Sequence, residues 1–236
     1  MDKRTLAFYK LTKLTDIFNG KSSHLPITYI KVFHKDYPRL RSIKLPKSKQ
    51  RGELMNLLNT RLSSRLFSNV PLTISQLSRV FDGCRITFTD NYFERRTYPS
   101  GGDRFPVELY LVAFNVKGLD TGVYHYNIVN NTLEVLLNED MERYRYYLVS
   151  HDLHNAAAAI ILTSVMSRSE VKYGVKSYPL SLIETGAIMQ NLQLLSVKND
   201  IGLCPIAGFV NDKVSEILDL TQDEIPLLVL GLGNIQ

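Results

Sequence analysis

Leu54, Leu57, Leu58 and Leu62 recur three and four residues apart. That spacing predicts an amphipathic helix over residues 52–63, with one buried stripe and Arg61 in its last turn. A second helix is predicted from Thr73, whose hydroxyl caps the first turn together with Gln76 three residues on, through Leu77, Val80 and Phe81 to Gly83. The periodicity then changes. Residues 107–115 are rich in β-branched and aromatic side chains, and Gly122–Asn127 and Thr132–Leu137 flank the turn-forming pair Asn130 and Asn131, so the middle of the chain reads as antiparallel sheet. Ala158–Val165 is a continuous apolar run and predicts a central strand; residues 180–198 form the longest helical segment and residues 225–232 a closing strand. Between those two, GLCPIAGFVND at 202–212 reads as an apolar strand breaking at Pro205 into a small-residue turn, before a helix over about 214–220 opened by Asp212. Helices and strands follow one another without a strict βαβ rhythm, which predicts an α+β fold.

Composition changes this picture little. The 236 residues are 44% hydrophobic and 22% charged, ordinary values for a globular chain able to bury a sizeable core. The longest apolar run, 156–166, is interrupted by Thr163 and Ser164 and is too short to span a bilayer, and the basic start of the chain lacks the apolar core of a signal peptide. A cytoplasmic protein without a membrane contact is the expectation. Cys84 and Cys204 are far apart and have no CxxC partner, so two small core residues are expected rather than a disulfide or a zinc site. Charge is distributed unevenly: 15 of the 28 Lys and Arg, but 4 of the 23 Asp and Glu, precede residue 66. The Pro, Lys and Ser stretch at 45–52 is the expected boundary between a basic N-terminal extension, 1–50, and a folded domain, 51–236. No aromatics interleave with the lysines there, so a solvated face is preferred to a nucleic-acid contact.

Three segments offer cradles. In RRTYPSGG, 95–102, the Ser-Gly-Gly turn leaves backbone amides unencumbered and lets a flat ligand or a phosphate approach closely, with Arg95 and Arg96 beside it. As a composition it also suits an ordinary loop. In RLSSR, Arg61, Ser63 and Arg65 place two guanidiniums and a hydroxyl at a helix end, which suits a phosphate as well as it suits the helix dipole. In PIAGF, Ile206, Ala207 and Gly208 present main chain to an acceptor.

Taken in order, RxSxRxF at 61–67, RRTYPSGG running on to FPVELYLV, KYGVKSYPLSLIETGAIMQNLQL at 172–194 and LCPIAGF at 203–209 resemble the nitroreductase superfamily, and its azoline dehydrogenase (SagB-type) branch in particular. The resemblance covers about residues 50–236. It implies a nitroreductase-like α+β fold, mainly antiparallel, with helices on both sides and FMN at a homodimer interface. It assigns Arg61, Ser63 and Arg65 to the phosphate and ribityl chain, Pro99, Ser100 and Gly101 to a turn against the flavin, and Ile206, Ala207 and Gly208 to amides at the ring edge. The implied reaction oxidises thiazoline or oxazoline rings of a ribosomally made precursor peptide, in a complex with cyclodehydratase subunits. An NAD(P)H-fed nitro- or quinone reductase and a non-catalytic scaffold subunit are the alternatives.

In that branch a Lys-Tyr pair stands where this chain has Lys172 and Tyr173, and the resemblance implies that they supply the base that removes the ring proton. A tyrosine with a reference pKa near ~10 needs an adjacent cation to serve as a base at neutral pH. Neighbours on a helix face different ways, so the pair is expected in a loop or at a helix start, which Gly174 favours. Without the motif, a solvated lysine and a half-buried aromatic are the preferred reading of the two. Glu184 and Asn191, seven residues apart, share one helix face and are expected to support the flavin pocket, lining it or holding it from behind. The five histidines, His24, His34, His125, His151 and His154, show no metal-ligand pairing, although Asp152 lies beside His151, and no metal is expected. The chain departs from the family at Lys176 and Pro179, where arginines are usual, and at Asp103-Arg104-Phe105-Pro106, where ALYP is usual. It ends GLGNIQ without the basic residues some members place on the phosphate, which leaves Arg95, Arg96 or Arg104 as substitutes.

Overall fold

The computed structural model describes residues 1–15, 35–47, 51–149 and 153–236. The expectations on His24, His34, His151 and Asp152, residues 16–34 of the basic extension and residues 48–50 of the boundary lie outside them.

Six strands form one sheet in the order β7-β6-β4-β8-β10-β9: β4 (Val107–Ala113), β6 (Gly122–Asn127), β7 (Thr132–Leu137), β8 (Ala158–Val165), β9 (Ile201–Ile206) and β10 (Glu224–Asn234). Every neighbouring pair is antiparallel. Strand alternation divides the core into two layers. Leu109 and Leu111 of β4, with Ile160 and Leu162 of β8, pack against α3 (Ile74–Phe81) and α6 (Ser177–Lys198) through Leu77, Val80, Ile188 and Leu192. Tyr110, Val112, Ala159 and Ile161 face the other way, towards α4 (Glu142–Leu148) and α7 (Asn211–Ile217). A parallel two-stranded pairing joins β1 (Leu72–Thr73) to β5 (Val116–Lys117), and β2 (Ile86–Thr89) pairs with β3 (Glu94–Arg96) as a separate ribbon leading into the PSGG turn.

The expected strands at 122–127, 132–137 and 158–165 match β6, β7 and β8 in extent, and Asn131 adopts the positive φ of 52° that its turn requires. Thr73 and Gln76 form the reciprocal capping box of α3. Other boundaries moved. The long helix begins at Ser177, ahead of residue 180, because Pro179 in its first turn lacks an N–H that would be unpaired there anyway. β9 runs on through Pro205 to Ile206: proline sits opposite Leu230 on a strand whose other side has no sheet neighbour, so no ladder bond is forfeited. The following helix opens at Asn211 rather than Asp212.

The helix expected over 52–63 is shorter, α2 (Glu53–Thr60), and its apolar stripe is not buried: Leu54, Leu58 and Leu62 are all exposed. Periodicity sets which face of a helix is apolar, not whether the same chain supplies a cover. Cys84 and Cys204 are free and buried, and burial pushes the Cys84 thiol up. The N-terminal helix α1 (Lys3–Thr12) lies on the 51–236 unit, with Phe8 edge-on to Tyr178 at 5.6 Å and the Asp2 N–H donating to Glu170 at 2.9 Å. Among the described residues, no helix is long and apolar enough to cross a membrane.

Candidate functional site

The PSGG turn is a strained loop held by side chains. Gly102, Asp103 and Phe105 all have positive φ, at 64°, 54° and 44°. Such conformations cost a non-glycine residue about 1–2 kcal/mol and persist where surroundings over-determine them. Here they do. The Ser100 hydroxyl accepts the Phe105 N–H at 2.9 Å, and Arg168 donates to the Phe105 carbonyl at 3.1 Å. The Phe105 ring lies under the Arg96 guanidinium, 4.2 Å from ring centroid to cation, and edge-on to Tyr98.

Beneath the turn is Glu184, 2% exposed on α6. Its carboxyl bonds the Ser100 hydroxyl and accepts the Val107 N–H at 3.4 Å. Burial raises its pKa to about 7, against the lowering effect of those hydrogen bonds and of the Arg96 and Arg168 charges. Leu180, one helical turn before Glu184, packs on the α-carbon of Gly101, where an added Cβ would stand 3.3 Å from its methyl groups.

Above the turn, Lys172 and Tyr173 occupy the last two positions of α5 (Ser167–Tyr173), with Gly174 at φ 51° ending the helix. The expected loop or helix start is corrected to a helix end, where Tyr173, at φ −118° and ψ −2°, already departs from regular helix geometry. Both heads converge on Gly102. A Cβ built there would overlap the Tyr173 hydroxyl and lie 2.8 Å from Lys172 Nζ. The ammonium itself stands 5.2 Å from the Tyr173 ring centroid.

A second group lies along β9. Arg61 follows α2, and the chain then runs beside the outer edge of the sheet, where the Ser64 N–H donates to the Leu203 carbonyl at 3.0 Å. Phe67 anchors this run: it is buried across Gly202 and Gly233 and bridges to Ile235. A Cβ on Gly233 would come within 2.8 Å of the Phe67 ring, so Gly233→Ala is expected to destabilise the protein by about 1–3 kcal/mol, read as a lower urea midpoint with unchanged slope. Arg61 and Arg65 enter no ion pair among the described residues; Arg65 reaches only the Ser63 carbonyl, at 3.4 Å. At the end of β9, Ala207 and Gly208 are exposed, and their N–H groups make no hydrogen bond to the described chain.

The expected residues thus fall into two groups, Pro99–Gly101 with Lys172, Tyr173 and Glu184, and the Arg61–Arg65 run tied through Ser64 to Leu203 of β9, the strand that ends at Ile206 before Ala207 and Gly208. No hydrogen bond joins them among the described residues. Asn191 belongs to neither: its amide donates to the carbonyls of Gly83 and Thr97, at 3.1 and 3.0 Å, tying α6 to the strand that leads into the turn. Of the proposed phosphate substitutes, Arg96 is spent on Glu94 and Tyr98, and Arg104 donates to the Arg168 carbonyl at 2.8 Å. Sequence reasoning missed Arg168, Glu108 and His125. His125 lies between two carboxylates, 3.0 Å from Glu108 and 3.0 Å from Glu134. The His125 and Glu134 pairing was legible, since the Asn130-Asn131 hairpin places them opposite each other. Among the described residues, no cluster of three or more His, Cys, Asp or Glu suited to a metal occurs.

An antiparallel sheet with helices on both faces and a glycine turn at one helix end defines an α+β class of fold. The chain belongs to the nitroreductase family, whose sequence pattern it matches over residues 58–234. It is 26% identical over 184 residues to a nitroreductase-type protein of Methanocaldococcus jannaschii, covering 77% of this chain and 91% of that one. Over 149 residues it is 28% identical to the microcin B17-processing protein McbC of Escherichia coli, a match spanning 60% of this chain and 55% of McbC. Among solved structures, a chain of the Escherichia coli microcin synthetase McbBCD complex with truncated pro-MccB17 bound superposes with a TM-score of 0.75, covering 100% of this chain and 95% of that one. At 22% identity that likeness speaks for the fold.

Proposed function

We propose that this protein is an FMN-dependent azoline dehydrogenase, a cytoplasmic homodimer that oxidises thiazoline or oxazoline rings of a precursor peptide alongside cyclodehydratase subunits. Family membership and the similarity to a microcin-processing protein support the reading. One observation carries it: Lys172 and Tyr173 bring an ammonium and a phenol together over Gly102, on a turn backed by the buried Glu184.

The residues present fit the cofactor. Among the described residues, Arg61 and Arg65 are cations without a carboxylate partner, which leaves them for a phosphate, and the N–H groups of Ala207 and Gly208 meet no acceptor and suit one at a ring edge. Bound there, FMN would supply two-electron oxidation of the azoline ring. The exposed leucines of α2 give the homodimer an apolar face to cover.

The chain's own part is the proton. Tyr173 Oη takes it from the ring carbon that bears the peptide, and the Lys172 ammonium, converging on the same point over Gly102, supplies the neighbouring positive charge. The Ser100 and Glu184 pair holds the turn rigid beneath the substrate. Mass spectrometry of an azoline-bearing peptide incubated with the FMN-loaded protein is expected to show loss of two hydrogens per ring. Lys172→Ala and Tyr173→Phe should each slow that loss by roughly 100-fold or more. Wild-type turnover in both variants removes the base assignment; NADPH-driven reduction of a nitroaromatic without azoline oxidation replaces the reading with a reductase.

A further inference from the structure

α5 carries Lys172 and Tyr173 but is only seven residues long, too short to be rigid by itself. Its placement on the turn comes from a reciprocal pair of arginines. Arg104, in the turn, donates from Nε to the main-chain carbonyl of Arg168 at 2.8 Å. Arg168, in the helix, donates from Nη1 to the main-chain carbonyl of Phe105 at 3.1 Å. Each guanidinium therefore holds the backbone of the element that bears the other. Arg168 Nη1 is also bonded to Glu108 Oε1 on β4, which fixes the pair to the central sheet. Glu108 is itself held: its second oxygen bonds His125 Nε2 on β6, and His125 Nδ1 bonds Glu134 on β7. Burial works against the Glu108 charge, yet the hydrogen bonds from His125 and Arg168 keep its pKa below the usual carboxylate value. The line of contacts runs from the edge strand β7, through β6 and β4, to the helix end where the ammonium and phenol stand.

The clamp sits at the strained residue. Phe105, at φ 44°, has its N–H taken by Ser100 and its C=O taken by Arg168, so both halves of its backbone depend on side chains. Releasing Arg168 leaves a bulky residue in a left-handed conformation with half its support, and the turn has reason to relax. Gly102, three residues back, would move with it, and the heads of Lys172 and Tyr173 would lose the surface they converge on. A cavity of about 520 Å³ beside this clamp is lined by Arg96, Arg104, Glu108, His125 and Arg168, so the guanidiniums are reachable by water and the bonds are made in competition with it. Three charged partners acting on one helix are then worth more than any one exposed ion pair.

We infer that Arg168 and Arg104 are positioning residues: together, braced by Glu108 and His125, they set the height and angle of the Lys172 and Tyr173 pair over the Gly102 turn. The inference rests on the dehydrogenase reading for its effect on rate, but not for the clamp itself.

The two are separated by measuring both in the FMN-loaded protein. Hydrogen–deuterium exchange is expected to rise at least tenfold in the segments 100–107 and 167–174 of Arg168→Ala, with β8 and β10 unchanged. Azoline turnover is expected to lose roughly 100-fold in kcat with KM within about twofold, the cost of displacing a reacting group by about 1 Å. Arg168→Lys keeps the charge towards Glu108 on a side chain one bond shorter and without the planar fork, so it should restore folding stability while the helix is held at a different height and kcat stays below wild type. Unchanged exchange in Arg168→Ala overturns the clamp. So does increased exchange with undiminished kcat, or a variant whose entire loss lies in KM. If the wild-type protein oxidises no azoline, the functional reading falls, while the exchange pattern still decides the clamp.

Discussion

Gly102→Ala is expected to lower azoline turnover by roughly 100-fold or more while the protein stays folded. The conformational cost is small: alanine at φ 64° loses about 1–2 kcal/mol, well within the stability of a domain of this size. The steric cost falls on two atoms that matter. The new methyl occupies the position of the Tyr173 hydroxyl and stands 2.8 Å from Lys172 Nζ and 3.1 Å from Tyr173 Cζ. Both heads must withdraw, since the far side of the methyl is the turn itself. A displacement of about 1 Å in a reacting group costs on the order of 100-fold in rate. Steady-state kinetics with a thermal melt checks this. A double variant, Gly102→Ala with Tyr173→Phe, should be no slower than either single change, because both act through the same hydroxyl. Additive losses, or a Gly102→Ala protein with full kcat, would mean that the phenol works from a different position.

The second large effect is on stability. In the unfolded chain Glu184 ionises near its ordinary value of 4.5; in the folded protein burial holds the proton until about pH 7. Below pH 4.5 both states are protonated and the group contributes no difference. From there to about 7 the unfolded state binds fewer protons than the folded one, so stability falls as pH rises, at about 1.4 kcal/mol per unit, and levels off having lost about 3 kcal/mol. Glu184→Gln removes the titration, keeps a carbonyl oxygen to accept the Val107 N–H and places an NH2 that can donate to the Ser100 hydroxyl oxygen. Relative to wild type, its unfolding free energy should therefore improve by up to about 3 kcal/mol between pH 4.5 and pH 8, measured by urea denaturation at both. An equal difference at the two pH values would place Glu184 among ordinary solvated carboxylates.

The ends of the elements show where a one-dimensional pattern stops being informative. β6, β7 and β8 were readable to the residue, because alternation, a two-asparagine turn and a β-branched apolar run are local properties. Thr73 and Gln76 announced their capping box for the same reason. Pro205 misled: proline ends a strand only where its missing N–H is needed, and whether β9 lies at an edge depends on strands twenty and forty residues away. Leu54, Leu58 and Leu62 were readable as a stripe but not as a surface.

The site divides in the same way. By itself the sequence determined the α+β class, the glycine turn and the helix carrying Glu184, since each is a matter of which residue type stands beside which, while the Lys172 and Tyr173 pair stood out only through the family resemblance. Only the tertiary structure decided that the pair sits at a helix end over Gly102, that Glu184 lies beneath Ser100, and that Asn191 ties main chain together elsewhere. The Arg104, Arg168, Glu108 and His125 line was decided there as well, because it joins residues up to 64 positions apart through strand register and one helix's approach to the sheet. Distances of that kind follow from how the whole core packs, and a chain's local chemistry carries no record of them.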